Sequence, residues 1–129
     1  MGQEPLSELV PIELAKWHKA QIPSPKEPSL FITLRKWLAQ LPESYQDQKK
    51  NEIYKNSFDI SDISKQIDLL EQIIKKINPP VAFCHNDLLS GNVLLDDSKE
   101  QYKVTFIDYE YGSYNYRGYD IANHFCEYA

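Results

Sequence analysis

Asp87, Asn92 and Asp108 are the residues of this chain best equipped for chemistry. They lie in His85-Asn86-Asp87-Leu88-Leu89-Ser90-Gly91-Asn92 and in Ile107-Asp108-Tyr109-Glu110. A carboxylate is followed by an amide after four intervening residues, then by two more carboxylates beyond a short apolar run. A phosphoryl-transfer site needs a base or orienting group for the attacking hydroxyl, and oxygen ligands for Mg²⁺ bridging the ATP phosphates. Asp87 suits the first task, where general acid–base help gives roughly 10²–10⁴ in rate. Asn92 and Asp108 offer the hard oxygens that Mg²⁺ takes while it keeps waters and shares phosphate ligands. On its own, Asp87 reads better as the cap of a turn; with Asn92 and Asp108 in register, catalysis is the better reading.

Protein kinases draw the same parts from an H-R-D-x-x-x-x-N loop and a D-F-G loop. Here the motifs are H-N-D-x-x-x-x-N and I-D-Y-E, with Asn86 in place of the arginine. Phe83 to Asn92, Ile107 to Ser113 and Tyr114 to Tyr128 together resemble the choline/ethanolamine kinase family. The resemblance is dense from Val81 to Ala129 and diffuse from Glu13 to Tyr45. Leu88-Leu89 looks like the ethanolamine kinase branch, since choline kinases more often carry a glutamine at the Leu89 position. The resemblance implies transfer of the ATP γ-phosphoryl group to ethanolamine, with Mg²⁺, as a cytoplasmic step toward phosphatidylethanolamine. It also implies a two-lobed enzyme much longer than this chain, with room for a homodimer. Residues 1–129 then form a partial domain, a fragment of the C-terminal lobe without the N-terminal ATP clamp or the last helices.

Further residues take roles beside these. Glu110 is either another Mg²⁺ ligand, directly or through water, or an exposed loop acid. Asp108 closes the apolar run Val104 to Ile107, and if buried there it needs a cation or donors to offset desolvation. In the kinase pattern His85 is structural, bonding backbone nearby; a zinc-hydrolase set of His85, Asp87 and His124 lacks an H-E-x-x-H motif. Asp120, at a helix start, can cap and reach back to catalytic-loop amides. His124 and Phe125 pack that helix. A small ammonium alcohol calls for a carboxylate and aromatic faces around its cation. The resemblance puts Tyr111 and Glu127 at this substrate pocket, while Tyr114 and Tyr116 read as packing.

The glycines are Gly2, Gly91, Gly112 and Gly118, so the chain carries no G-x-G-x-x-G phosphate loop. It also lacks a V-A-I-K-type lysine for the α- and β-phosphates. Three rivals follow: a choline kinase, a truncated non-catalytic chain, and a divalent-metal hydrolase using His85, Asp87 and Asp108 without ATP. A formal net charge of −5 leaves no basic footprint for nucleic acid. No apolar run reaches the length of a membrane span, and no cationic-then-apolar signal opens the chain. Cys84 and Cys126, without C-x-x-C spacing, read as buried reduced thiols of a cytosolic protein.

The elements that must position these residues give an α+β fold, a mostly helical partial kinase-like C-terminal lobe with a small β-hairpin carrying the loops. Helices are expected over Ser7–Gln21, Ser29–Leu41 and Ser61–Asn78, the last on the stripe Ile63, Ile67, Leu70, Ile74 and Ile77. Glu43 to Ser57 has no period and reads as a solvated loop or frayed helix. Val81–Cys84 reads as a short buried strand ended by the catalytic loop. Val93–Leu95 and Tyr102–Ile107 form the hairpin around the polar connector Asp96–Gln101. Tyr111 to Gly118 reads as a loop, and Tyr119 to Tyr128 as a helix.

Overall fold

The computed structural model describes residues 6–98 and 102–127, so Tyr128 and the end of the hairpin connector lie outside the described residues. The chain divides into two compact units, residues 29–78 and residues 1–28 with 79–129. Among the described residues no helix is long and apolar enough to cross a membrane.

The unit of residues 29–78 is helical. Helix α2 (Leu30–Ala39) packs against α4 (Ile60–Ile77), and α3 (Gln48–Ser57) lies between them in sequence. Phe31 and Ile67 are its buried apolar residues, and Arg35 bridges Asp68 at 2.6 Å and Glu71 at 2.7 Å. Two aspartates start helices: Asp47 accepts from the Lys50 N–H, and Asp59 accepts from those of Ser61 and Asp62. Such caps satisfy N–H groups that have no partner within the helix. Asn78 closes α4 in the left-handed conformation (φ 49°), which asparagine tolerates well. The stripe on α4 is half open, with Ile67 buried but Leu70 and Ile77 exposed.

Of the two readings of Glu43–Ser57, a solvated loop or a frayed helix, residues Gln48–Ser57 take the helix as α3 and residues 43–47 stay outside it. No residue of α3 is buried, so it leaves no apolar period to read. The Asp47 cap holds one end, and the Tyr54 ring lies 5.2 Å from Tyr45 and 5.7 Å from Phe58, centroid to centroid.

The other unit carries α1 (Leu6–Trp17), β1 (Val81–Cys84), β2 (Val93–Asp96), β3 (Lys103–Phe106), β4 (Ser113–Tyr116) and α5 (Gly118–Cys126). Strands β2 and β3 make the expected antiparallel hairpin, pairing Val93 with Phe106 and Asp96 with Lys103. Strand β1 pairs antiparallel with β4, from Val81 opposite Tyr116 to Cys84 opposite Ser113. Its core joins Val10 and Leu14 of α1 to Leu88, Val104 and Phe106, with Leu9, Trp17 and Val93 packed against them. Val10, Leu14 and Trp17 recur at helical spacing, so one face of α1 seats on the hairpin. Pro11 sits inside α1 on its exposed side, away from that face.

Strand β4 corrects the loop expected over Tyr111–Gly118. Ser-Tyr-Asn-Tyr lacks the apolar alternation of a strand, yet Tyr114 and Asn115 are both buried because each finds polar partners. The Tyr114 hydroxyl accepts from the Ile22 N–H at 3.1 Å. Two smaller corrections concern α5: Phe125 is 70% exposed rather than packed, and Cys126 is exposed, leaving Cys84 the buried thiol.

Replacing Asp59 by alanine removes the cap from α4. We expect a loss of about 1 kcal/mol from the stability of this helix, measured as a lowered urea midpoint followed by far-UV circular dichroism.

Candidate active site

Asp120, in the first turn of α5, is fully buried and accepts three hydrogen bonds. Its Oδ2 accepts from the His85 N–H at 2.9 Å and from His18 Nε2 at 2.8 Å, and its Oδ1 accepts from the Asn86 N–H at 2.7 Å. A helix carboxylate thus holds two consecutive amides of the loop leaving β1. Asn86 takes φ 66° there, in the left-handed region. Its side chain binds the segment that leads into and forms β4. Nδ2 donates to the Tyr111 carbonyl and to Ser113 Oγ, each at 2.9 Å, and Oδ1 accepts from Asn115 Nδ2 at 2.9 Å.

Helix α5 grips the same loop a second time. The Leu88 N–H donates to Asn123 Oδ1 at 2.7 Å, and the Leu88 carbonyl accepts from His124 Nδ1 at 2.8 Å. Leu88 itself is fully buried in the core. Asp87 lies between these two grips, half-buried.

Asn92 follows in a 3₁₀ turn, Ser90–Asn92, and is 7% exposed. Its Nδ2 donates to the Asp87 carbonyl at 2.9 Å and lies 3.4 Å from the Asp87 carboxylate Oδ2. Its backbone carbonyl accepts from the Ile107 N–H at 3.0 Å, while the Ile107 carbonyl accepts from His85 Nε2 at 2.9 Å. Ile107 is therefore pinned on both sides, and Asp108 leaves it at φ 58°. The turn beyond needs Gly112. A Cβ there would sit 2.8 Å from the Tyr109 carbonyl oxygen, which accepts the Gly112 N–H.

The structure brings His85, Asp87, Asn92 and Asp120 into one hydrogen-bonded frame, with Asp108 at its edge. Asp108 is exposed, so the condition set for a buried strand-end carboxylate does not arise and no cation is needed to offset burial. Asp87, Asp108 and Glu110 do not converge as a ligand cluster. Among the described residues the trio whose ligand atoms lie within 4.8 Å of one another is His18, Cys84 and Asp120. Glu110, Tyr111 and Glu127 are all exposed, and Glu127 caps the C-terminal end of α5. A cavity of about 520 Å³ among α1, β1 and α5 is lined by Val10, Leu14, His18, Ala82 and Ile121, and neither Asp87 nor Asp108 borders it.

Sequence reasoning missed His18, Ser113, Asn115 and Asn123. Asn123 and His124 carried a usable signal, since they share a helix face with Asp120 at i, i+3 and i+4. His18 carried none, being 102 residues away from Asp120.

Two groups are electrostatically set. Burial, then the negative charge of Asp120, pushes the Cys84 thiol far above the ordinary thiol range. Burial raises Tyr119 also, with the charges of Asp120 and Asp87 adding to it, so its phenol stays protonated beside the loop. The donor set fits a hard cation: with Nδ2 turned to Asp87, the amide oxygen of Asn92 is its remaining ligand atom, and Asp108 offers an exposed carboxylate.

The sequence model of the choline/ethanolamine kinase family matches residues 1–129. The chain belongs to that family. It is 45% identical over 117 residues to a probable ethanolamine kinase A of Dictyostelium discoideum, covering 91% of this chain and 33% of that protein. It is 43% identical to a probable ethanolamine kinase of Arabidopsis thaliana, covering 91% and 31%, and 39% identical to a probable choline kinase 3 of the same plant, covering 96% and 34%. Among solved structures it resembles a Plasmodium vivax ethanolamine kinase with a TM-score of 0.78 at 27% identity, covering 96% of this chain and 38% of that one. A choline kinase from Cryptosporidium parvum gives 0.64 at 32%, covering 93% and 38%. The chain spans about a third of the length of the curated relatives it matches. The kinase-like partial lobe read from the sequence is the fold found here.

Substituting Asp120 by alanine leaves the His85 and Asn86 amides without an acceptor. At about 1–3 kcal/mol for each buried donor left unpaired, we expect a loss near 3 kcal/mol in urea unfolding, with faster hydrogen exchange at those two amides. Thiol labelling checks the setting of Cys84. In native protein Cys126 reacts with a disulfide reagent and Cys84 only on unfolding. Because the folded thiol is raised, its contribution to stability is complete below the ordinary thiol value and declines as pH rises above it.

Proposed function

We propose that this chain carries the hydroxyl-activating and metal-binding part of an ATP-dependent ethanolamine kinase. The observation that carries the reading is the link from Asp87 through the Asn92 amide to Ile107 and Asp108. The base and one oxygen ligand share a set of hydrogen bonds, and the second ligand, Asp108, follows the backbone of Ile107 that the same set pins, which favours a preset arrangement of the kind positional catalysis requires.

Asp87 takes the proton of the substrate hydroxyl as its oxygen forms a bond to the γ-phosphorus. The bond from that phosphorus to the bridging oxygen breaks, and ADP leaves with the electron pair. Asn92 Oδ1 and the Asp108 carboxylate would hold Mg²⁺, and Glu110 would contribute directly or through water. When bound, Mg²⁺ neutralises charge on the phosphates. Asn92 also orients Asp87, since its Nδ2 faces both the carbonyl and the carboxylate of that residue. Asp120 and His85 position the loop. Tyr111 and Glu127 meet the substrate ammonium, an aromatic face and a carboxylate both open to solvent.

Residues 1–129 act in this reading as a partial domain, with the nucleotide clamp supplied from outside it and the reaction run in the cytoplasm on water-soluble substrates. Ethanolamine is preferred to choline because the relatives at 45% and 43% identity are named ethanolamine kinases, and those at 39% and 37% choline kinases.

The test is ADP release with Mg²⁺-ATP by a chimaera in which this chain replaces the matching third of a full-length ethanolamine kinase relative, ethanolamine and choline being offered separately. We expect turnover with ethanolamine and a fall of about 10²–10⁴ in kcat for Asp87→Asn. Preference for choline overturns the substrate. A folded chimaera that turns over neither amine overturns the proposal.

A further inference from the structure

Trp17 ends α1 and stands among rings from both halves of the candidate site. Its ring centroid lies 5.8 Å from His85, at the head of the catalytic loop, and 5.9 Å from Phe83 of β1. It also lies 5.6 Å from Tyr109, which follows Asp108 directly, and 6.2 Å from Phe106 at the end of β3. One indole thus touches the segment before Asp87 and the residue after Asp108.

Packing alone does not account for this residue. The Trp17 indole Nε1 is buried and has no hydrogen-bond partner in the protein, and the same holds for His85 Nδ1. The two are chemically complementary. His85 Nε2 donates to the Ile107 carbonyl, so Nδ1 of the neutral ring presents a lone pair, whereas the indole N–H can only donate. A buried donor or acceptor left unmade is costly, and buried water commonly satisfies such a pair.

Resting on the proposed function, we infer that Trp17 is a positioning residue. Its indole sets the separation of the Asp87 loop from the Asp108 loop, and one buried water joins the indole N–H to His85 Nδ1. The chain of contacts is then Trp17 to His85, His85 to the Ile107 carbonyl, and Ile107 to Asp108. Through it, α1 steadies the His85 ring, whose tautomer the Ile107 carbonyl sets, and the direction in which Asp108 leaves β3. A phenyl ring at position 17 would keep the aromatic contacts but lose the donor.

NMR of the whole chain tests this. In the wild type the Trp17 indole proton gives a rotating-frame cross peak to a long-lived water, and the exposed Trp37 indole supplies the reference for bulk exchange. Absence of that peak overturns the water bridge. Mn²⁺ with ATP is then titrated while broadening is followed at Asn92 and Asp108. Outer-shell partners of a metal site are worth about 10–100-fold in affinity. We expect Trp17→Phe to raise the Mn²⁺ midpoint about tenfold and to shift the His85 ring nitrogens, with the Asn86 amide still protected from exchange. An unchanged midpoint and unchanged His85 nitrogens in a folded Trp17→Phe protein reduce Trp17 to core packing and overturn the inference. General loss of amide protection in that variant does the same. Wild-type protein without broadening at Asn92 and Asp108 would refute the proposed metal site instead, and the water cross peak would still decide the bridge.

Discussion

The carboxylate of Asp120 is the group on which the rest of the site depends. A buried carboxylate costs several kcal/mol unless donors surround it, and here two backbone amides and an imidazole do so. The same bonds fix the path of the chain as it leaves β1, because two consecutive N–H groups must face one side chain. Asn86 takes the left-handed region there, which asparagine occupies at little cost. Its side chain then fastens the loop to β4 and to the Tyr111 carbonyl just before it. The negative charge at Asp120 also helps keep the neighbouring Cys84 protonated, so the thiol serves as a buried packing group and weak donor rather than a nucleophile.

From that anchor the order passes outward through backbone groups rather than through charges. Asn92 binds the Asp87 carbonyl with its side chain and the Ile107 N–H with its own carbonyl; His85 closes the loop from the other side. Each of these is a modest interaction of about 1 kcal/mol net. Together they over-determine the left-handed turn at Asp108, the setting in which an unusual backbone conformation persists. The exposed carboxylate that results is suited to meet a cation shared with solvent and phosphate, not to enclose one.

Much of this architecture is visible in the sequence. The Asp87 to Asn92 spacing, the strand before it, the hairpin after it and the aspartate at the start of α5 each leave a local mark: a fixed spacing, an apolar run, a polar residue at a helix start. Strand β4 and helix α3 leave no such mark. Tyr114 and Asn115 are buried side by side on opposite faces of a strand, each satisfied by partners far along the chain. Helix α3 has no fully buried residue and is held by a cap and a clasp of aromatic rings. Hydrophobic period, the main local signal, is silent in both.

What the sequence by itself determined is the chemistry on offer: which oxygens can accept a proton or bind a hard cation, and how many residues separate them. Those are properties of side-chain types and of chain distance. What only the tertiary structure decided is which distant groups hold them. His18 reaches Asp120 across 102 residues, Asn115 reaches Asn86 across 29, and Asn123 reaches Leu88 across 35. The exposure of Asp108 and the burial of Asp120 were decided there too, although both are aspartates beside apolar neighbours. Burial is set by the elements packed around a group, and packing between remote segments has no local signature in the chain.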